Sequence, residues 1–466
     1  MQRFARYVWL VLASFPALLS AQGYGVYELS PCTFGRGGAA VASPCPDASA
    51  IFFNPAGLAD LKGGHVSAGV TFIKVNGGFT DDAFGQNTSL DDPLIPVPEV
   101  YASYQPRPKL GLGLGFFAPY GLQTKWPTDF EGRFAGYNNI IHTYYVQPTA
   151  AYQVSKQLSL GVGLDIVHGS VELHQRIDLS TTPVPGFPPG TTFGAFGIPY
   201  QTDFADATLT ASKTAFGGHF GAIFKVNDRI SLGARYLMKV NLNYSGTASF
   251  TSVPTNLTIP ATITIPGIGT IPAGTPLDGF LASLGLFTAP NGPLQPQTVT
   301  ATLPNPDMFV AGIAVKPTAN LMVLVDYQWT HWGSFQTLTL NFTPTTALNQ
   351  VLYESYQNTS GIRFGADWTQ SQHLNLRAGY LYHQGAAPDQ TVTPLLPEGP
   401  RNEVSAGLSY KFSPAMSLDL AYQYIRQDDR RGRTIETPNV PPTTALNSGL
   451  YTFSASLFGV ALAFAF

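Results

Sequence analysis

From His65 onward, apolar and polar side chains alternate with a period of two. Leu418, Leu420, Tyr422 and Tyr424 alternate with Asp419, Ala421 and Gln423, and Ile362, Phe364, Ala366 and Trp368 with Arg363, Gly365 and Asp367. Val404, Ala406, Leu408, Tyr410 and Phe412 alternate in the same way with Glu403, Ser405, Gly407, Ser409 and Lys411. Successive side chains of a strand point to opposite faces, so these segments read as strands with one greasy and one polar face. The apolar parity often ends in aromatics, as at Tyr380 and Tyr382, Tyr236 and Tyr244, or Tyr144 and Tyr152. Such rings suit the girdle of a membrane barrel.

The links between strands set the topology. Short polar turns are expected at 106–109, 155–157, 227–229, 317–320, 370–372 and 413–415. Longer links fall near 80–97, 121–141, 177–211, 246–306, 343–357, 383–400 and 427–450. These thirteen connections join fourteen antiparallel strands, and their alternation of short and long is that of an outer-membrane barrel with periplasmic turns and extracellular loops. The chain closes on a strand in which Phe458, Val460, Leu462, Phe464 and Phe466 share one face, and Gly459, Ala461, Ala463 and Ala465 the other. Small residues on the inner face imply that something packs closely inside.

The N-terminus supplies the candidate. Arg3 and Arg6 precede an apolar stretch from Tyr7 to Leu19 and the small residues Ser20 and Ala21, the pattern of a secretory signal peptide over 1–21. Residues 22–64 then lack the period of two. This stretch is too short and too rich in Gly and Ala for its own core, so it is expected to pack in the lumen as a hatch, with the barrel over 65–466. Within it, Asn54, Pro55 and Ala56 read as a turn that stops a short helix, or as an ordinary helix stop. Cys32 and Cys45 are the only cysteines. In an exported chain they are expected to be bridged, the alternative being two buried thiols; two Cys without neighbouring His or Cys give no zinc site.

Composition narrows the picture. Only 11% of the 466 residues are charged, against 44% hydrophobic, with 47 Gly and 38 Pro. That excludes a helical protein and leaves too few charges to coat a water-soluble surface. A net charge of −3 without a basic run gives no nucleic-acid footprint. The eight His are scattered, with His168 and His174 at a strand top, and no HExxH, GxSxG or SxxK occurs. No enzyme constellation, metal or cofactor is therefore expected.

The run GRGGAAVASPCPDASAIFFNPAGLADL followed by HVSAGVTFIKV resembles the hatch and first strand of the FadL family of outer-membrane transporters for long-chain fatty acids and related hydrophobic compounds, a family that includes aromatic-hydrocarbon members. FAPYGLQTKWPTDFEGRFAGYN resembles its lid loop, LSLGVGLDIVHGSVEL and ISLGARYLMKVNLNYSG its strand pairs, and DYQWTHWGSFQTLTL its central hairpin strand. The resemblance covers the mature chain. It implies a monomeric fourteen-stranded barrel in the bacterial outer membrane, with capture between extracellular loops, an inner pocket and a lateral exit beside a kinked third strand. The partners it implies are a hydrophobic small molecule, outer-membrane lipid and lipopolysaccharide, and the barrel assembly machinery.

Residue by residue, Lys125, Trp126, Phe130, Arg133 and Phe134 are the expected capture loop, the alternative being a loop core of packed rings. Gly111, Gly113 and Gly115 share one parity in LGLGLGFFAP. Glycine inside a strand marks a bend or a close approach; the place of these three in the chain order matches the family's kinked third strand, so the resemblance makes them the expected lateral opening, and room for the hatch is an alternative compatible with it. Asp165, Arg235, Lys239, Asp326, Arg363, Asp367, Arg377, Glu403, Lys411 and Asp419 are expected to face inward, since a midplane charge on lipid costs about 2–4 kcal/mol. Arg176, Arg235, Lys239, Arg363 and Arg377 are the candidate pocket cations. Yet HGSVELHQR at 168–176 holds Arg176 as its one fixed cation and QTLTLNF at 336–342 holds none. This departure favours a substrate less polar than a fatty acid. A general porin for small solutes and an outer-membrane hydrolase remain the other readings.

Overall fold

The computed structural model describes residues 23–432, apart from 83–84, 92–93, 185–186, 189, 266–268 and 289–291, together with 449–466. The expected signal peptide over 1–21 lies outside the described residues, as does most of the last long loop. Fourteen strands follow in order: β1 (Gly64–Asp81), β2 (Leu94–Arg107), β3 (Leu110–Lys125), β4 (Asn138–Gln153), β5 (Leu158–Asp178), β6 (Asp203–Asn227), β7 (Ile230–Leu237 and Val240–Ser252) and β8 (Gln297–Asn305 and Met308–Thr318). Then come β9 (Leu321–Thr330), β10 (Thr359–Thr369), β11 (Leu374–His383), β12 (Arg401–Ser413), β13 (Met416–Gln427) and β14 (Gly449–Ala465). Each is antiparallel to the next, and β1 pairs with β14 from His65↔Ala465 to Asp81↔Gly449, which closes the barrel. All six short turns fall between the strands where the sequence places them.

The outward face is greasy where alternation requires it: Leu114, Phe220, Phe364, Tyr422 and Phe458 are exposed, as lipid-facing residues are. Crossing the hydrocarbon takes a tilted strand of about 9–11 residues, so β5, with 21 residues, and β6, with 25, rise well beyond it. Here the expected link over 177–211 contracts to a loop between Asp178 and Asp203, because strand outside lipid needs no apolar face and so shows no alternation.

Tyr244 is a second correction. It is buried at 2% exposure instead of joining the girdle. Met238 and Lys239 interrupt β7 with a net offset of one residue that flips its parity, so that Leu232 and Tyr236 face out below while Val240, Leu242 and Tyr244 face in above. Pro306 and Asp307 do the same in β8, and the two interruptions sit opposite each other, between the pairs Met308↔Leu237 and Asn305↔Val240.

The segment from residue 23 to 61 touches strands all round the ring. It contains α1 (Pro31–Phe34), α2 (Ala50–Phe53) and a 3-10 turn, Pro55–Asp60, and Cys32 is bonded to Cys45. Its backbone approaches the wall so closely that a Cβ at Gly379 of β11 would lie 2.0 Å from the amide nitrogen of Gly37. At Gly459 of β14 a Cβ would lie 2.4 Å from the ring of Phe34, which accounts for the small residues on that inner face. Inward charges hold the contact. Asp326 accepts the amides of Ala40 at 2.7 Å and Val41 at 2.9 Å, and Asp367 pairs with Arg377 at 3.0 Å and Arg36 at 3.6 Å.

Candidate functional site: two apolar cavities and a break in the wall

Above the N-terminal segment, the inner side chains of the upper strands converge on a cavity of about 90 Å³. Leu122, Ile141, Leu209, Tyr244, Leu303 and Leu340 line it, Leu338, Phe335 and Tyr356 close one side, and residues 391–396 form its roof. Among the described residues, its lining holds one carboxylate, Glu354, and neither lysine nor arginine. A dry apolar cavity of about 150 Å³ can take up benzene, so this one admits a ring of that size once a lining side chain yields.

The expected pocket cations are elsewhere. Arg176 pairs with Asp206 at 3.0 Å. Arg235 lies over the ring of Phe52 and donates to the Phe52 carbonyl at 2.8 Å, Arg363 lies over Tyr27, and Arg377 joins Asp367 to Asp419. The last three thus brace the N-terminal segment. Lys239 is exposed in the β7 interruption and Lys411 is exposed near the β12 turn. Each cation is placed where a carboxylate, ring or water offsets its charge, which the apolar pocket cannot do.

The aromatic loop is a packed core instead of an open groove. Trp126 is 1% exposed and stacks on Phe130 with centroids 4.5 Å apart. Phe130 meets Phe79 edge-on, and the indole nitrogen of Trp126 donates to the Pro394 carbonyl at 3.1 Å. Phe134 is buried under Arg133, which pairs with Asp203 at 2.9 Å, while Lys125 pairs with Asp91 at the surface. Between them, these contacts tie the loop to the roof of the cavity.

The glycines answer to the second of their two readings. Gly113 and Gly115 are paired on both sides, with β2 and with β4, and Gly111 is paired with β4 beside the register shift that ends the β2–β3 ladder at its turn. Their missing side chains make room for Leu58 and Ile51 of the N-terminal segment. The wall breaks just above them: pairing of β2 with β3 stops at Val100↔Phe116, and the β3–β4 register shifts between Phe117 and Tyr120. A cavity of about 80 Å³ sits in this break, lined by Ile95, Pro96, Val97 and Pro98 of β2, Ala118 and Tyr120 of β3, and Val26. Leu122 and Ile141 line both cavities. Proline cannot donate to a ladder and is confined to sheet edges or bulges, so Pro96, Pro98 and Pro119 are the sequence signal for this edge, which alternation alone passes over.

The N-terminal residues stand between the two cavities. Val26 donates to the Pro119 carbonyl and Gly121 to the Tyr24 carbonyl, both at 2.9 Å, so Tyr24–Val26 borrow part of the freed edge of β3. Asn54 is anchored differently. Fully buried, its amide donates to the carbonyls of Val41, Ala222 and Ala234 at 2.6, 3.0 and 3.3 Å, and its carbonyl accepts Ala56 N–H at 3.1 Å.

The family model described as "Outer membrane protein transport protein (OMPP1/FadL/TodX)" matches residues 11–466. Outer membrane protein P1 of Haemophilus influenzae is 24% identical, with 96% of each chain covered. Among solved structures, a Pseudomonas aeruginosa FadL homologue superposes with a TM-score of 0.78 at 21% identity over 96% of this chain and all of its own. The Ralstonia pickettii toluene transporter TbuX gives 0.65 at 20% identity over 95% of this chain and all of its own.

Proposed function

Since the chain belongs to the OMPP1/FadL/TodX family of outer-membrane transport proteins, we propose that it carries neutral hydrophobic molecules from the upper cavity sideways through the break between β2 and β3. The observation that carries this reading is the pair of apolar cavities, which share Leu122 and Ile141 and, among the described residues, have neither lysine nor arginine in their linings. A carboxylate taken from water into such a lining would need a cation or several donors, and would meet Glu354 instead.

Direction follows from partition. Burying apolar surface gains about 25 cal/mol per Å², so an aqueous exit would oppose release of a hydrocarbon, whereas a lateral exit delivers it to lipid. In this reading the segment 23–61 is the hatch that keeps the lumen from conducting. Asn54 is fixed in it, and the moving part is Tyr24–Val26, held to β3 by two backbone hydrogen bonds. The rings of Trp126 and Phe130 serve as a lid that secures the roof at 391–396.

Uptake of radiolabelled toluene and laurate by cells expressing the protein tests the substrate class. Toluene is expected to enter and laurate to enter poorly. Leu338→Arg, which puts a cation in the lining, should reduce toluene uptake at least tenfold and confer laurate binding. Equal uptake of both by the unaltered protein would refute the neutral-substrate reading.

A further inference from the structure

We propose that the wall holds a second passage for neutral hydrophobic molecules, between β6 and β7 at the height of Phe216; it rests on the reading of the upper cavity as the transport site. The two strands are paired below from Asn227↔Ile230 to His219↔Leu237 and above from Ser212↔Ser245 to Ala205↔Ser252. Across residues 213–217 and 239–244 no ladder joins them, and the amide of Met238 bonded to the Gly218 carbonyl at 2.9 Å marks the lower end of the seam. On either side the sheet is continuous: β6 pairs with β5 from Leu158↔Phe224 to Ile177↔Ala205, and β7 pairs with β8 through Val240–Ala248.

The cause is the extra residue at Met238–Lys239. It puts the upper and lower ladders out of step and turns Val240, Leu242 and Tyr244 inward. Unpaired backbone at membrane depth costs several kcal/mol per group and persists only where it is buried in protein or lines a cavity that water can reach. Apolar side chains, Phe216 at 67% exposure and Met238, flank the outer mouth, and the exposed Lys213 and Lys239 border it.

Inside, the seam abuts the upper cavity. Tyr244 is part of the cavity lining, together with Leu209 of β6 and Leu303 of β8. Leu242 and Tyr244 lean against Gly169 of β5, where a Cβ would lie 2.3 Å from the Tyr244 hydroxyl and 2.7 Å from Leu242. Val240 fills the place a side chain at Gly217 would take. The buried Tyr244 hydroxyl has no hydrogen-bond partner among the described residues, and neither do the carboxylate oxygens of Asp165 close to Gly217. The side chain that closes the seam is therefore held by packing, and rotating it breaks no hydrogen bond. The break between β2 and β3 has the same plan, with Tyr24–Val26 as its cover.

Paired cysteines test the seam. Continuing the upper register brings Thr214 opposite Asn243, and Thr214→Cys with Asn243→Cys, joined by a short bifunctional thiol reagent, ties the strands across the opening. Ile95→Cys with Ala118→Cys does the same for the break between β2 and β3. Toluene uptake is measured with each bridge, with both, and after release of the linker by reductant, at equal amounts of heat-modifiable folded protein. The β6–β7 bridge alone should lower the initial rate measurably, uptake left by the β2–β3 bridge should vanish with both, and Tyr244→Ala in the β2–β3-bridged protein should raise the residual rate severalfold. If the β6–β7 bridge changes nothing in either background while the β2–β3 bridge abolishes uptake, the second passage is refuted and the lateral reading stands. If even the doubly bridged protein transports at the unbridged rate, both fail.

Discussion

Asn54 shows how much one buried amide can do. Its side chain joins Val41 in the N-terminal segment to the backbone of β6 and β7 while capping the turn at Ala56. Each such hydrogen bond contributes about 0.5–1.5 kcal/mol net, and an orphaned buried partner costs more. Asn54→Ala should therefore destabilise the folded protein by about 2 kcal/mol, read as a lower urea midpoint in detergent. Asp278, in the loop between β7 and β8, carries a pH effect. Partial burial pushes its carboxyl up, but the amide and hydroxyl of Thr255 and the amide of Asn256 hydrogen-bond to it and hold it below the ordinary value of 3.8. A depressed carboxylate stabilises the fold above its unfolded pKa, and that contribution is lost as pH falls through the folded value. Pepsin cleavage within 253–288, normalised to an unstructured substrate, should rise below about pH 4, and in Asp278→Asn should not change with pH. Residue types alone misplaced the pocket cations: Arg235, Arg363 and Arg377 have the parity of a lumen but sit at the height of the N-terminal segment, and parity carries no information on height.

At the scale of elements, the alternation in β10, β12, β13 and β14 was legible because lipid enforces it on one face. Where that constraint ends, so did legibility: the tops of β5 and β6 read as loop. The flip at Met238–Lys239 carries no turn residue, so alternation alone puts Tyr244 on the outer face, opposite to where it lies. Pro96, Pro98 and Pro119 did mark the free edges of β2 and β3, but Gly111–Gly115 gave the louder signal and answer to Leu58 and Ile51 instead. Replacing Pro96, Pro98 and Pro119 by valine together restores three donors along those edges. The triple variant should gain amide protection at 94–99 in hydrogen exchange and lose most toluene uptake.

For the whole molecule, the balance is between a wall that must stay sealed to ions and a site that must open to lipid. The segment 23–61 contacts the wall at every side through backbone and small residues, and its removal should turn a nearly silent barrel into a conducting one in planar bilayers; a conductance equal to that of the intact protein would mean the segment does not seal the lumen. The central claim is that a neutral hydrophobic molecule leaves sideways between β2 and β3. Its most direct test is toluene uptake by the Ile95→Cys, Ala118→Cys protein before and after the two cysteines are linked. Linking should cut the initial rate by more than half, and reductant should restore it. A rate that stays at the unlinked value would contradict lateral exit at this break.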